Sequence, residues 1–168
     1  KEVNLVAQDQ TSWGKDLPGR PKLASLLRRL DAVEDLAWIR LLYVYPSAVS
    51  DELVEVLATS RRVLPYVDVP LQHASNHLLR DMKRGVTAER QLQLIEKLRA
   101  NIPGLTLRTT FIVGFPGETD EDFDALCDFV REVRFDRLGC FRYSDEAGTA
   151  AFLLPNKVPR SLARSRLP

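Results

Sequence analysis

Apolar residues gather along this chain in five short runs: Val3 to Ala7, Trp38 to Tyr45, Tyr66 to Leu71, Leu105 to Val113 and Asp136 to Tyr143. They are rich in Val, Ile, Leu, Tyr and Phe and alternate only weakly with polar residues. That is the pattern of strands buried on both faces, and so of a parallel sheet. Helical patterns lie between them. Leu23, Leu26, Leu27 and Leu30 follow one apolar stripe. Ser50 caps a helix whose first turn holds Asp51 and Glu52. Ser75 caps a short helix carrying Leu78, Leu79 and Met82, which Gly85 stops. Thr87 caps the next, with Leu92, Ile95 and Leu98, ended by the turn "NIPG" at 101–104. Thr119 precedes Asp120, Glu121 and Asp122, and Phe123, Leu126, Cys127 and Val130 form the stripe that follows. The predicted order is β-α-β-α-β-α-α-β-α-β.

Strands recur roughly every 30 residues, one βα unit each. Repeated units of this kind imply right-handed crossovers and a parallel sheet. A TIM-type barrel, a partial barrel and a doubly wound sheet are the candidates. No dinucleotide fingerprint follows the first strand, and five strands are too few for an eight-stranded barrel. The prediction is therefore an α/β fold, a partial (incomplete) TIM-type barrel of about five parallel βα units. It occupies residues 1–152. From Leu153 the tail "LLPNKVPRSLARSRLP", with its prolines and scattered arginines, reads as a linker (153–168) leading out of the domain.

Composition adds bounds rather than chemistry. The chain has 168 residues, enough for one domain with a real core. Its net charge of +1 provides no global field toward nucleic acid or anionic lipid. Cys127 and Cys140 form no C-x-x-C pair, so there is neither a disulfide framework nor a zinc motif, which suits a reducing cytoplasm. No apolar run approaches the roughly 18 residues of a membrane span. The chain opens on Lys1 and runs directly into a strand, so a piece of a longer protein is expected.

In parallel α/β folds ligands lie at the carboxyl ends of the strands. The segments there are "QDQTSWG" (8–14), "YPS" (45–47), "QHASNH" (72–77), "GFPGET" (114–119) and "YSDEAGT" (143–149). All are polar, and together they can ring a polar organic ligand. Asp9 is either catalytic or the cap of its own turn. A phosphate-cradling loop would need lysine near Gly117, but Glu118 stands there, and its carboxylate favours hydroxyls or an ammonium. Gly114 lets a flat ligand lie against bare backbone; equally, the segment is a tight βα turn with Thr119 as cap. His73 and His77 have zinc-helix spacing but lack the Glu of H-E-x-x-H, and Pro70 and Ser75 argue against one continuous helix. A hydrogen-bonding His73 at the cleft rim is the expectation, with no metal site.

Taken in order, "LVAQDQTSWGKD", "RLLYVYPS", "YVDVPLQHAS…LLRDMKRGVT", "LRTTFIVGFPGETDEDF" and "FDRLGCFRYSDEAGT" resemble the radical S-adenosylmethionine domain of the methylthiotransferases, over nearly the whole chain. "AQD" with "WG", and "PLQHAS", look like the branch that modifies an aspartate of a small-subunit ribosomal protein. The tRNA-adenosine branch typically has "NVN" and "PVQSGS". Trp13 departs from the more usual Tyr. The resemblance implies S-adenosylmethionine as cofactor beside a [4Fe-4S] cluster, a radical that removes hydrogen from carbon, and a methylthio product. It places Gly114 and Glu118 in the turn that supports the nucleoside. Gln8, Asp9, Gln72 and Thr110 fall where polar residues line that ligand, and Arg84 meets its carboxylate.

The family's C-x-x-x-C-x-x-C motif, which ligates the cluster after the first barrel strand, does not occur in these 168 residues. Cys127 on a helix stripe and Cys140 within a strand are not expected to converge as cluster ligands. The expectation is a central fragment without the first strand and its cluster loop, inactive alone and open to edge-to-edge self-association. The implied partner is a small-subunit ribosomal protein, with no membrane and no direct nucleic-acid contact. A tRNA methylthiotransferase and a non-catalytic barrel scaffold are the alternatives.

Overall fold

The computed structural model describes residues 1–167 and divides into two compact units. The first takes in Lys1–Pro70 with Leu94–Arg108; the second takes in Leu71–Gln93 and the chain from Thr109 onward.

Unit 1 opens with β1 (Glu2–Leu5), which pairs in parallel with β2 (Trp38–Leu41) in the register Glu2↔Trp38 to Leu5↔Leu41. Ile39 forms a parallel bridge to Val63, and the Val44 N–H donates to the Asp68 carbonyl at 2.8 Å. These bonds carry the pattern toward β3 (Tyr66–Asp68), which pairs in parallel with the first residues of β4 (Thr106–Val113). β2 is shorter than its apolar run because Tyr43 turns left-handed, at φ 61°. Helix α1 (Leu23–Asp31) buries Leu23 and Leu27, with Leu26 and Leu30 half-buried. It packs on α2 (Asp51–Thr59), whose Leu53 N–H is capped by the Ser50 hydroxyl at 3.2 Å, as expected. The ion pairs Lys22–Glu52 and Arg28–Glu55 link exposed faces. Pairs of that kind add little, about 0–1 kcal/mol.

Unit 2 begins where Gln72 takes φ 74° and bridges in parallel to Phe111. Helix α3 (Asn76–Asp81) buries Leu78 and Leu79. Ser75 occupies its cap position but makes no cap bond; its hydroxyl goes to Asp122 instead. The helix is ended by Lys83, left-handed at φ 55°, two residues before the glycine expected to stop it. The Arg84 N–H then closes on the Leu79 carbonyl at 2.8 Å. Helix α4 (Ala88–Asn101) runs from this unit into the first. Helix α5 (Asp120–Val133) starts with a reciprocal capping box between Thr119 and Asp122. β5 (Arg137–Arg142) lies beside β4, and the Tyr143 N–H reaches the Val113 carbonyl at 2.8 Å. Phe111 meets Phe129 and Phe135 edge-on, with ring centroids 6.4 and 5.7 Å apart. This is the aromatic core of the unit.

The tail read as a linker is structured over its described part. After a short 3-10 turn (Ala150–Leu153), helix α6 (Arg160–Ser165) forms, with Ala163 and Arg166 buried within unit 2. Proline and arginine content obscured this because, of the helix itself, only Ala163 is buried. Pro168 lies outside the described residues.

Candidate functional site

β4 alternates strictly. Leu107, Thr109, Phe111 and Val113 are buried, and Thr106, Arg108, Thr110 and Ile112 are half-buried on the other face. This brings Thr110 beside Gln72, whose N–H donates to the Thr110 carbonyl at 2.9 Å. Gln72 returns its own carbonyl to the Ile112 N–H at 2.9 Å. The structure therefore joins two of the residues singled out from sequence.

At the end of β4 the chain turns at Gly114, with φ +74°. A Cβ there would lie 2.4 Å from the Cβ of Ala163 on α6. The missing side chain is thus required by a helix packed against the turn as well as by the left-handed backbone. The Gly114 N–H donates to Glu118 at 2.8 Å. Glu118 is buried, and its other oxygen pairs with Arg166, which also holds Asp120. Its third neighbour is His73, with Nε2 at 3.4 Å. The His73 Nδ1 accepts the Ser75 N–H at 3.0 Å, so in the neutral ring the proton sits on Nε2, facing Glu118. His73 is fully buried, not at a rim, because this loop folds under the turn rather than around an opening.

Burial pushes the Glu118 carboxyl up, but His73, the Gly114 N–H and Arg166 outweigh it and hold its pKa below the ordinary value of 4.5. His77 faces elsewhere, 2.8 Å from Asp122. For Asp122 burial again opposes, yet the Thr119 N–H, the Ser75 hydroxyl, His77 and the Thr119 hydroxyl bring the pKa down to about 2.

The remaining candidates are spread out. Gln8 is exposed in unit 1. Asp9 accepts the Thr11 N–H at 2.8 Å and both the Thr11 and Ser12 hydroxyls, so it is the cap of its own short turn, Gln10–Ser12. Arg84 is half-buried just beyond α3. Sequence reasoning passed over two buried polar residues of unit 1. Gln10 is 6% exposed and donates its backbone N–H to the Tyr43 carbonyl at 3.2 Å. Asp68 is fully buried at the end of β3 and pairs with Arg108 at 2.8 Å. An acid inside an apolar run was the available signal for Asp68; nothing local marked Gln10. Cys127 and Cys140, not expected to converge, line one apolar pocket with Phe123, Leu126 and Leu138. Burial, then Glu118 and Cys127, push the Cys140 thiol pKa up. Among the described residues no group of three or more His, Cys, Asp or Glu can hold a metal ion.

Residues 11–130 match the family model described as the Radical SAM superfamily. The chain is 55% identical over 166 residues to the ribosomal protein uS12 methylthiotransferase RimO of Myxococcus xanthus (strain DK1622), covering 99% of this chain and 35% of that protein. It is 52% identical over 162 residues to the RimO of Pelotomaculum thermopropionicum, covering 96% and 36%. It thus spans about a third of the length of these curated relatives. Among solved structures it resembles the radical S-adenosylmethionine methyltransferase TsrM of Kitasatospora setae, which has cobalamin and a [4Fe-4S] cluster bound. The TM-score is 0.56 at 26% identity, covering 71% of this chain and 24% of that one. With parallel βα units, a polar turn at the end of β4 and a family match across most of its length, the chain belongs to the radical SAM superfamily.

Proposed function

We propose that this chain is the radical S-adenosylmethionine portion of a cytoplasmic methylthiotransferase that adds a methylthio group to an aspartate of ribosomal protein uS12. The supporting observation is 55% identity over 166 residues to a uS12 methylthiotransferase. In this reading the fold is a partial barrel that lacks its first strand and cluster loop, and residues outside 1–168 ligate the cluster. A [4Fe-4S] cluster needs several convergent thiolates. Cys127 and Cys140 sit in an apolar pocket and do not fit that role. No step is therefore routed through them.

Residues of unit 2 do fit S-adenosylmethionine, which when bound is the source of the radical chemistry. Gln72, beyond the end of β3, and Thr110, within β4, are half-buried and adjacent, and offer an amide and a hydroxyl to the nucleoside. Arg84 offers its guanidinium to the carboxylate. Gly114 and Glu118 act one step back. Both Glu118 oxygens are engaged within the protein, so the carboxylate fixes the turn against which the ligand rests. The left-handed Gln72 is also a strained backbone position of the kind that clusters at ligand sites.

The test is incubation of the full-length parent, reconstituted with iron and sulfide under reducing anaerobic conditions, with uS12 and, separately, with tRNA. A methylthio mass gain on a uS12 aspartate is expected. Modified tRNA with unmodified uS12 would overturn the substrate assignment. Gln72→Ala should weaken S-adenosylmethionine binding about tenfold. The isolated chain should also self-associate. β1 pairs only with β2 among the described residues, which leaves a strand edge open. Sedimentation showing monomers at all concentrations would refute this.

A further inference from the structure

Beside the Gly114 turn, unit 2 carries an open cavity of about 310 Å³. Three cations line it, Arg142, Lys157 and Arg160, against one carboxylate, Asp145. Part of this charge is already matched. Lys157 pairs with Asp145 at 2.6 Å and donates to the Ala151 carbonyl at 2.9 Å. It lies 5.6 Å from the Tyr143 ring centroid and 5.4 Å from that of Phe152. The Tyr143 hydroxyl donates to Asp145 at 3.0 Å, and its ring packs edge-on against Phe115 at 5.2 Å. One wall thus carries a matched ion pair at an exposed position.

The other cations are not matched. Among the described residues neither the Arg142 nor the Arg160 guanidinium makes a side-chain hydrogen bond or ion pair. Arg142 is half-buried as the last residue of β5. A guanidinium does not relieve burial by losing its proton. That of Arg142 is not among the buried groups left without a partner, so it keeps its charge at the cavity surface, where an entering anion meets it.

We propose that this cavity is a carboxylate-binding subsite that takes the acidic side chain of the substrate polypeptide on Arg142 and Arg160. Only the identity of the polypeptide rests on the sulfur-transfer reading; the chemistry of the cavity stands on its lining. Guanidinium forks match a carboxylate with two parallel hydrogen bonds. Val158 and Ala163 supply apolar wall for a methylene stem, which suits an acidic side chain better than a phosphodiester flanked by two riboses. S-adenosylmethionine also carries a carboxylate, but its sulfonium and ammonium make it a net cation, which a lining of excess positive charge disfavours. Asp145 repels a phosphate monoester, of charge about −2, more than a carboxylate.

The test is a titration of the isotopically labelled 168-residue chain, following the Arg142 and Arg160 side-chain Nε–H resonances, each assigned by its loss in Arg142→Gln or Arg160→Gln. The probes are N-acetyl-aspartate N-methylamide, its asparagine counterpart, S-adenosylmethionine and inorganic phosphate. Saturable shifts of both resonances with the aspartate probe are expected, at least about tenfold weaker in Arg160→Gln. Arg160 is exposed, so that variant should keep the wild-type circular dichroism spectrum. Overturning results are no saturable shift, an equal response to the asparagine probe, or tighter binding of S-adenosylmethionine or phosphate. Failure of the parent protein to modify uS12 would leave this titration unchanged, so the two readings fail separately.

Discussion

Asp9 and Glu118 both follow a parallel strand in a polar turn, yet they are held in opposite ways. The partners of Asp9, Thr11 and Ser12, are two and three residues away. Glu118 reaches the Gly114 N–H within its own turn, but its ion-pair partner Arg166 is 48 residues on, and His73 belongs to the loop after β3. One carboxylate closes a local turn; the other fastens three separate segments of unit 2. A local cap forms wherever its few residues go, whereas a distributed cluster exists only once the fold has formed. Mutations at the second should therefore cost more and should couple to distant positions.

The largest effect is expected at the Gly114 turn. Gly114→Val puts a branched side chain into a left-handed backbone and against the Ala163 Cβ. A loss of about 2–5 kcal/mol is expected from strain and overpacking together. Calorimetric melting would show it, and an unchanged Tm would mean that α6 is not seated on the turn. Glu118→Gln should come next, at about 2–3 kcal/mol, since Arg166 is buried and keeps only Asp120. Combining it with Arg166→Met should cost less than the sum of the two single changes. Strict additivity would deny that the pair is coupled.

Acid sharpens the same contrast. The pKa of folded Glu118 lies below its ordinary 4.5, so its contribution is complete above pH 4.5 and is lost as pH falls through the folded value. Glu118→Gln should flatten that part of the acid-unfolding curve. Asp122, with an ordinary value of 3.8 and a folded value of about 2, contributes in full above pH 3.8 and loses its contribution between 3.8 and about 2. Asp122→Asn should remove that later step; a curve identical to wild type below pH 4 would contradict it. The smallest change is expected for Asp9→Ala, about 1 kcal/mol for one lost cap. A loss as large as that of Glu118→Gln would erase the distinction between the two turns.

Much of the fold was legible along the chain because its signals are local. The five strands, the Ser50 cap and the Thr119 start of α5 depend on residues within a few positions of one another. Thr110 lies within the predicted strand Leu105 to Val113, so the Gln72–Thr110 neighbourhood was reachable only through the family resemblance. The misreadings share the opposite character. His73 looked like a rim residue because nothing near it in sequence says that its loop turns inward. The tail looked like a linker because only Ala163 of α6, and Arg166 just beyond it, are buried. Cys127 and Cys140 looked unrelated because one is on a helix and the other on a strand, and only the tertiary fold opens both onto one pocket.

By itself, then, the sequence determined the α/β class, the parallel order of βα units, the turn at Gly114 to Glu118 and the family to which those motifs belong. Periodicity, caps and glycine positions act over a single turn or strand, so they are written in contiguous residues. Tertiary structure decided what the turn's carboxylate does. A buried charge must find its partners wherever the fold brings them, and for Glu118 these are a histidine from the loop after β3 and an arginine beyond the end of α6. It decided equally that Arg142 and Arg160 face one cavity while Lys157 is neutralised by Asp145, an arrangement that no spacing in the chain announces.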